Sequence, residues 1–493
     1  MLYLSNLLFK HLNNSNIKYC HWKSNEHLLA GLRGDTDLDI LVDRKSCTQL
    51  YTILNNLNFI RGKGRSYLSY TSIEDFIGFD KETGKLIHLH IHYELMIGKK
   101  FIKGLRLPWE KIIFDTTIEN NTTYHTRTIN PNIEIILLIL RNVLKRHSLL
   151  KKSELKFPND EMVELEWLKE HIENLKIQEF SCNLINEDFA EKLIKFLKNN
   201  NYKNNVNLYK SAFYFFKKQF NLSSVPINLT YYFKKFQAAV SFINFKKLDK
   251  PIPYRRTLPQ GGLVITFVGV DGSGKSTLIK IIKDWLSWKL DVSLIYFGSG
   301  DGKSSLLRLP IKIVAQFLAN RRGNIIERTE KEVHEKNSGA LKKIAKNIWA
   351  ITLAMEKKAK LFKMLKARSK GLIVLTDRFP QTQTEGYNDG PLLGKWKTSK
   401  SKLKKKIADW EYNIYNLANY HSPDILIKLF IPAELAVLRK NDTPLFMLEK
   451  KIDVINKMEY GKNTLIIKID SSKTVEKTEL EIKQLIWQTL NGL

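Results

Sequence analysis

The chain has 493 residues, 43% apolar and 26% charged, with a formal net charge of +30. That length exceeds what one hydrophobic core usually serves, so two or three domains are expected, and the composition excludes a disordered chain or one built on membrane spans. The positive excess favours anionic partners on electrostatic grounds, but lysines occur in every segment, with or without a motif, and read first as a solvated surface rather than a nucleic-acid footprint.

The opening MLYLSNLLFKHLNN predicts a first helix rather than a signal peptide, since its short apolar run has no basic leader and no small-residue cleavage site. Cys20, Cys47 and Cys182 are scattered, which gives neither a disulfide framework nor a thiolate zinc site and suits a reducing, cytoplasmic compartment. Residues 1–130 read as an α+β domain, with strands at DLDILV and LIHLHIHYEL separated by a helix and a loop.

Asp35 precedes the first of these strands, and Asp37 and Asp39 alternate at its start, so the last two carboxylates share one face and two oxygens can hold a divalent cation. An Asp-rich turn before a strand gives the same string. His88, His90 and His92 also alternate and would complete a site with Asp37 and Asp39 that suits Mn²⁺ or Zn²⁺ better than Mg²⁺; the other reading is a polar, solvated strand face.

Residues 131–250 are mostly helical and basic. Ile135 to Leu140 is too short to span a membrane and predicts a buried helix. The clusters AFYFFKK and TYYFKKF fit either aromatics packing inward with lysines snorkelling outward, or aromatic and basic interleaving for nucleic acid. A linker, PIPYRRTLPQGG at 251–262, then interrupts the helical pattern.

Residues 263–493 read as an α/β domain with a parallel sheet, its strands expected at LVITFVGV, SLIYFG, GLIVLTD, DILIKLFI and LIIKID. The first strand runs into GVDGSGKST, Gly269 to Thr277, which satisfies the P-loop pattern and is followed by an amphipathic helix. Backbone N–H groups of such a loop and the positive end of its helix converge on a phosphate site. In that reading Gly269, Gly272, Ser273, Gly274, Lys275, Ser276 and Thr277 form the nucleotide loop, Lys275 reaches the β- and γ-phosphates of ATP, and Ser276 ligates Mg²⁺.

At Asp271-Gly272-Ser273-Gly274-Lys275-Ser276 this half of the chain resembles the thymidylate kinases. The resemblance continues in GLIVLTDRF with its Asp377-Arg378 pair, in SPDILIKLFIPAELAVLRK and in LIIKIDSS. It implies that Asp377 holds Mg²⁺ through water or orients the acceptor, that Arg378 binds the acceptor's anionic group, that Asp271 contacts the acceptor, and that Arg439, beside Lys440, is a lid cation. The chain departs from the family at FGSGDGKSS, Phe297 to Ser305, where the family carries an Arg-Glu-Pro-Gly-like segment. It departs again at FPQTQTEGYNDGP, a loop with an Asp389-Gly390-Pro391 turn where the family has a helix, and in a lid poor in arginine. These leave the acceptor open among nucleotides, sugars and other metabolites.

The segment YCHWKSNEHLLAGLRGDTDLDILVD is similar to the nucleotidyltransferase superfamily, in which a small-residue turn, a helix and an Asp-x-Asp strand bind a metal-bound nucleoside triphosphate. Here the turn is Lys23-Ser24-Asn25, and the histidine strand falls where the family's third carboxylate is expected. The sequence thus predicts a multidomain α/β protein: a nucleotidyltransferase-like α+β domain with a helical extension, then a P-loop parallel-sheet kinase domain using ATP and Mg²⁺ on a nucleotide or other small-molecule acceptor. Two other readings stay open, an N-terminal transferase of nucleoside monophosphate to a hydroxyl with the P-loop half as supplier or switch, and an ATP-gated nucleic-acid binder. A homodimer is one assembly left open.

Overall fold

The computed structural model describes residues 1–120, 125–146, 154–199, 205–220, 224–298, 340–440 and 443–492. It is a mixed α/β chain of two compact units, residues 1–248 with 254–259 and 487–493, and residues 249–253 with 260–486. Among the described residues no helix is long and apolar enough to cross a membrane.

The first unit is built on a mixed eight-stranded sheet. Its strands are β1 (Tyr19–His21), β2 (Asp37–Val42), β3 (Ile60–Gly64), β4 (Ile73–Phe79), β5 (Leu86–His92), β8 (Ile118–Asn120), β9 (Thr126–Thr128) and β10 (Arg256–Thr257), while β6 (Leu95–Ile97) and β7 (Leu105–Leu107) form a separate hairpin. The spatial order is β10-β3-β4-β5-β2-β1-β9-β8, with β2 and β5 parallel and β5 and β4 antiparallel.

Side-chain alternation fixes this pairing. Leu38, Ile40, Leu89 and Ile91 are buried in one core with the helices Tyr3–Asn14 and Cys47–Asn56, which turns Asp37, Asp39, His88, His90 and His92 to the other face. Asp39 is paired with His90, and His90 with Asp75 on the next strand, so three polar residues form a row across the sheet.

The helix and loop expected between β2 and β5 are only part of what lies there, because β3 and β4 intervene. The β3 string IRGKG is poor in strand-forming residues and takes its conformation from pairing with β4 and β10.

Among the described residues six helices follow, from Pro131–Arg146 to Ser224–Phe242, and Ile135 to Leu140 are all buried in a core shared with Phe189, Phe196 and Phe216. Inward packing of the aromatics holds for Phe215 and Phe216. It fails for Tyr232, Phe233 and Phe236, which are exposed.

This core also buries charge. Glu134 accepts from Asn25 N at 3.1 Å and Asn25 Nδ2 at 2.6 Å, and Arg141 pairs with Glu164. Ser24, in the turn before Asn25, has a left-handed backbone at φ 56°. Burial first, and then the neighbouring Glu164 charge, push the Glu134 carboxyl well above its ordinary value; Asn25 and Arg141 offset this only in part.

The second unit is a five-stranded parallel sheet. Its strands β11 (Val264–Gly269), β12 (Val292–Tyr296), β13 (Ile373–Asp377), β14 (Ile425–Phe430) and β15 (Leu465–Asp470) stand in the order β12-β13-β11-β14-β15. The central strands are near-continuous apolar runs because helices cover both faces, and where β11 and β13 carry a polar residue, Thr266 and Thr376, the two hydroxyls bond each other at 2.7 Å. The stretch Phe297 to Ser305 singled out in the sequence lies, from residue 299 onward, outside the described residues.

The raised Glu134 carboxyl has a signed consequence. A group protonated more readily folded than unfolded stabilises most below its unfolded value of 4.5 and loses that contribution as pH rises through the raised folded value. Relative to Glu134→Gln, the wild type is therefore expected to lose stability, on the order of 1 kcal/mol per pH unit at most, as pH rises from 4.5 toward the raised folded value, and no further above it. Denaturation midpoints of both proteins from pH 5 to 8 check this; parallel curves would remove the assignment.

Candidate functional site

The carboxyl ends of β11 and β13 meet where the strand order reverses around β11, the usual position of a ligand crevice in an open parallel sheet. From β11 the chain turns through Gly269 to Gly274 into the helix Lys275–Ser287. Gly272 (φ 83°) and Gly274 (φ 77°) take left-handed conformations that a side chain disfavours, and a Cβ on Gly272 would stand 2.5 Å from the Ala436 carbonyl oxygen. The loop backbone is thereby held open with the first turn of the helix behind it, where Ser276 and Thr277 are exposed.

Lys275 is buried and its Nζ lies 3.3 Å from Asp377 Oδ1 at the end of β13. Two buried oxygens here, Asp377 Oδ1 and Ser273 Oγ, make no hydrogen bond among the described residues. Burial raises the Asp377 carboxyl above its ordinary range, and the Lys275 and Arg378 charges offset this only partly.

Beside this pair lies a second set of charges. Arg378, left-handed at φ 67°, reaches Asp271 Oδ1 at 3.9 Å and Asp389 Oδ2 at 3.8 Å. Lys451 Nζ donates to Asp271 Oδ2 at 3.0 Å, and the buried Lys357 pairs with Asp389 at 2.6 Å. Asp271, Arg378, Asn388, Asp389 and Lys451 line one concavity with Phe379 and Met458. Burial would raise the Asp271 carboxyl, but Lys451, Arg378 and Lys275 together hold it below its ordinary range, so it stays ionised.

The loop after Arg378 is rigid without a helix. Gln381 donates to the Thr384 and Tyr387 carbonyls, both at 2.7 Å, and accepts from Thr384 N, while Glu411 accepts from Leu392 N and Leu393 N.

Of the predicted residues, the fold brings Asp271, Lys275, Asp377 and Arg378 together. Arg439 stands apart: at the end of the helix Ala433–Arg439 it donates to the Ser471 carbonyl at 2.9 Å and the Ser472 carbonyl at 3.4 Å, tying down the turn after β15. Lys451 and Lys357 escaped the sequence reading because each is one lysine among many on an amphipathic helix. Asp389 was legible only as part of a turn.

The N-terminal strand face forms its own constellation. Asp39 Oδ1 lies 2.9 Å from Lys23 Nζ, 3.1 Å from His90 Nδ1 and 3.5 Å from His92 Nε2. His88 Nδ1 lies 2.9 Å from Asp37 Oδ1 and His88 Nε2 2.9 Å from Asp75 Oδ1, so His88 is held between two other carboxylates. Asp75, absent from the sequence reading, enters through β4, a strand that carried no motif.

The chain is 30% identical over 225 residues to the protein named uncharacterized ATP-binding protein YghR of Escherichia coli strain K12, which covers 44% of this chain and 84% of that protein. The chain belongs to the family of YghR. It is also 32% identical over 204 residues to the uncharacterized ATP-binding protein YghS of the same strain, covering 40% of this chain and 81% of that protein. A search with family models gave no match.

For this member of the YghR family the loop geometry predicts a contrast. Gly274→Ala, where no atom of the described residues beyond its chain neighbours stands within 4 Å of the new Cβ, is expected to cost about 1–2 kcal/mol for the left-handed backbone alone. Gly272→Ala adds the overlap with the Ala436 carbonyl and is expected to cost at least about 1 kcal/mol more. Denaturant titration of both variants measures the difference, and equal costs would contradict the loop geometry.

Proposed function

We propose that the second unit is an ATP- and Mg²⁺-dependent phosphotransferase, a kinase of the thymidylate-kinase type acting on a small-molecule acceptor. The observation that carries this reading is the Lys275–Asp377 pair at the head of a glycine-cradled helix, next to the Asp271–Arg378–Lys451 network. The similarity to YghR and YghS, both named as ATP-binding proteins, supports the nucleotide half of it.

Phosphoryl transfer asks a protein for positioning and charge neutralisation more than for covalent chemistry. The N–H groups of the loop from Gly272 to Lys275 would bind the β-phosphate, with Lys275 moving from Asp377 to the β- and γ-oxygens. Ser276 and Asp377 would hold Mg²⁺, the Asp377 carboxylate being released for the ion as Lys275 turns to the phosphates. When bound, the ion supplies charge neutralisation on the transferred group.

On the acceptor side Arg378 and Lys451 would bind an anionic group. Asp271, kept ionised, would orient the attacking hydroxyl and receive its proton as the new oxygen–phosphorus bond forms and ADP leaves. The departures from the thymidylate-kinase pattern support an acceptor other than a nucleoside monophosphate as readily as a nucleotide.

The test is ADP release from ATP across a panel of nucleotides and phosphorylatable sugars. Acceptor-stimulated release is expected to fall by at least about a hundredfold in Lys275→Ala. Lys451→Ala is expected to raise the KM for acceptor about tenfold or more while leaving ATP affinity unchanged. Wild-type turnover in Lys275→Ala would sink the proposal.

A further inference from the structure

The first unit carries a cluster that this kinase reading does not use. We propose that Asp39 Oδ1, His90 Nδ1 and His92 Nε2 form a binding site for a divalent transition-metal ion of the Zn²⁺ class, with the fourth coordination position open.

The spacing of the three atoms is that of a coordination shell. All lie within 4.8 Å of one another, and Asp39 Oδ1 stands 3.1 Å from the His90 nitrogen and 3.5 Å from the His92 nitrogen. Two ligands bound tetrahedrally to Zn²⁺ at about 2.0–2.1 Å are themselves about 3.3 Å apart. Two imidazoles and one carboxylate oxygen suit Zn²⁺, Co²⁺ or Mn²⁺ better than Mg²⁺ or Ca²⁺, which prefer all-oxygen sets.

An independent observation points to a ligand. His92 is fully buried, and neither of its ring nitrogens makes a hydrogen bond among the described residues. Leaving a buried polar group unpaired is costly, and Nε2 is the nitrogen directed at Asp39. A metal ion set between Nε2 and Asp39 Oδ1, which face each other at 3.5 Å without a well-formed hydrogen bond, would give that nitrogen a full-strength partner.

The surroundings support the ligand imidazole in the manner of known metal sites. His90, offering Nδ1, has its other nitrogen 3.7 Å from Asp75 Oδ1, and Asp75 is itself fixed by Arg256 Nε at 2.9 Å and His88 Nε2 at 2.9 Å. At 3.7 Å Asp75 is beyond hydrogen-bond reach of His90 Nε2, so it acts on this imidazole through its negative charge, which favours a proton on Nε2 once a metal takes Nδ1 from Asp39. The sequence offered all three histidines to Asp37 and Asp39 together; the structure divides them, giving His88 to Asp37 and leaving His90 and His92 to Asp39.

Lys23 is the competing cation. Its ammonium, 2.9 Å from Asp39 Oδ1, neutralises that carboxylate, and Lys103 also lies within the field of Asp39 and Lys23. Metal binding therefore displaces Lys23 from Asp39, and removing this ammonium should tighten the site.

The experiment uses the full chain, stripped with chelator and titrated with Zn²⁺ by calorimetry and with Co²⁺ by visible absorption, with metal content measured by mass spectrometry. We expect one equivalent of Zn²⁺ per chain and the intense Co²⁺ bands of a four-coordinate site. Affinity should fall at least about a hundredfold in His92→Ala and Asp39→Asn, fall about 10–100-fold in Asp75→Asn, rise in Lys23→Met, and stay unchanged in Asp377→Asn, which leaves this cluster intact. The last variant separates this site from the P-loop ion of the proposed kinase. Circular dichroism checks that each variant folds. If His92→Ala does not fold, the wild-type Co²⁺ spectrum decides alone. Weak six-coordinate bands, no stoichiometric uptake, or equal affinity in wild type and a folded His92→Ala would overturn the proposal.

Discussion

Strand β11 is paired along both edges and covered on both faces, so only its ends are free to meet solvent. Everything around the phosphate loop follows from this constraint. The chain leaves the sheet at Gly269 between two parallel neighbours, and Asp377, one strand over, is delivered to the same edge by register with Phe267. Lys275 is the first residue of the helix that must pack back on the sheet, and its ammonium is held against Asp377. The glycines at 272 and 274 supply the left-handed turns that let so short a connection reverse direction.

The charge network behind the loop shows how a buried site stays polar. Asp271 and Asp389 each have cationic neighbours, Lys451 and Arg378 for the first, Lys357 and Arg378 for the second. Removing one member would leave a partly desolvated charge uncompensated, which costs more than the net worth of the pair. The rigidity of the loop through Gln381 and Glu411 keeps Asp389 in position without the helix that the thymidylate-kinase resemblance implies.

The first unit solves a comparable problem on a mixed sheet. Its polar face holds three aspartates, three histidines and Lys23, opposite a face on which Leu38, Ile40, Leu89 and Ile91 are buried. Alternation makes the two faces inseparable, since a slip of one residue would bury the carboxylates and expose Leu38 and Ile40. The buried Glu134 and Arg141 behind that turn add a second, structural set of charges.

The P-loop string, the apolar parallel strands and the alternation of DLDILV and LIHLHIH are local patterns, so the mixed α/β class and the residues Asp39, His90 and Lys275 could be read directly from the chain, while Asp377 and Arg378 were marked by the resemblance to thymidylate kinases. Partners that depend on strand order and helix placement could be read from neither. Asp75 comes from a strand with no motif, Lys451 from a helix with none, and the division of the histidines between Asp37 and Asp39 rests on the β2–β5 register. Arg439, marked by its place after a strand and a proline, is spent on the Ser471 and Ser472 carbonyls. Periodicity tells which face a side chain takes, whereas the neighbour across that face is set by pairing between segments far apart in the chain.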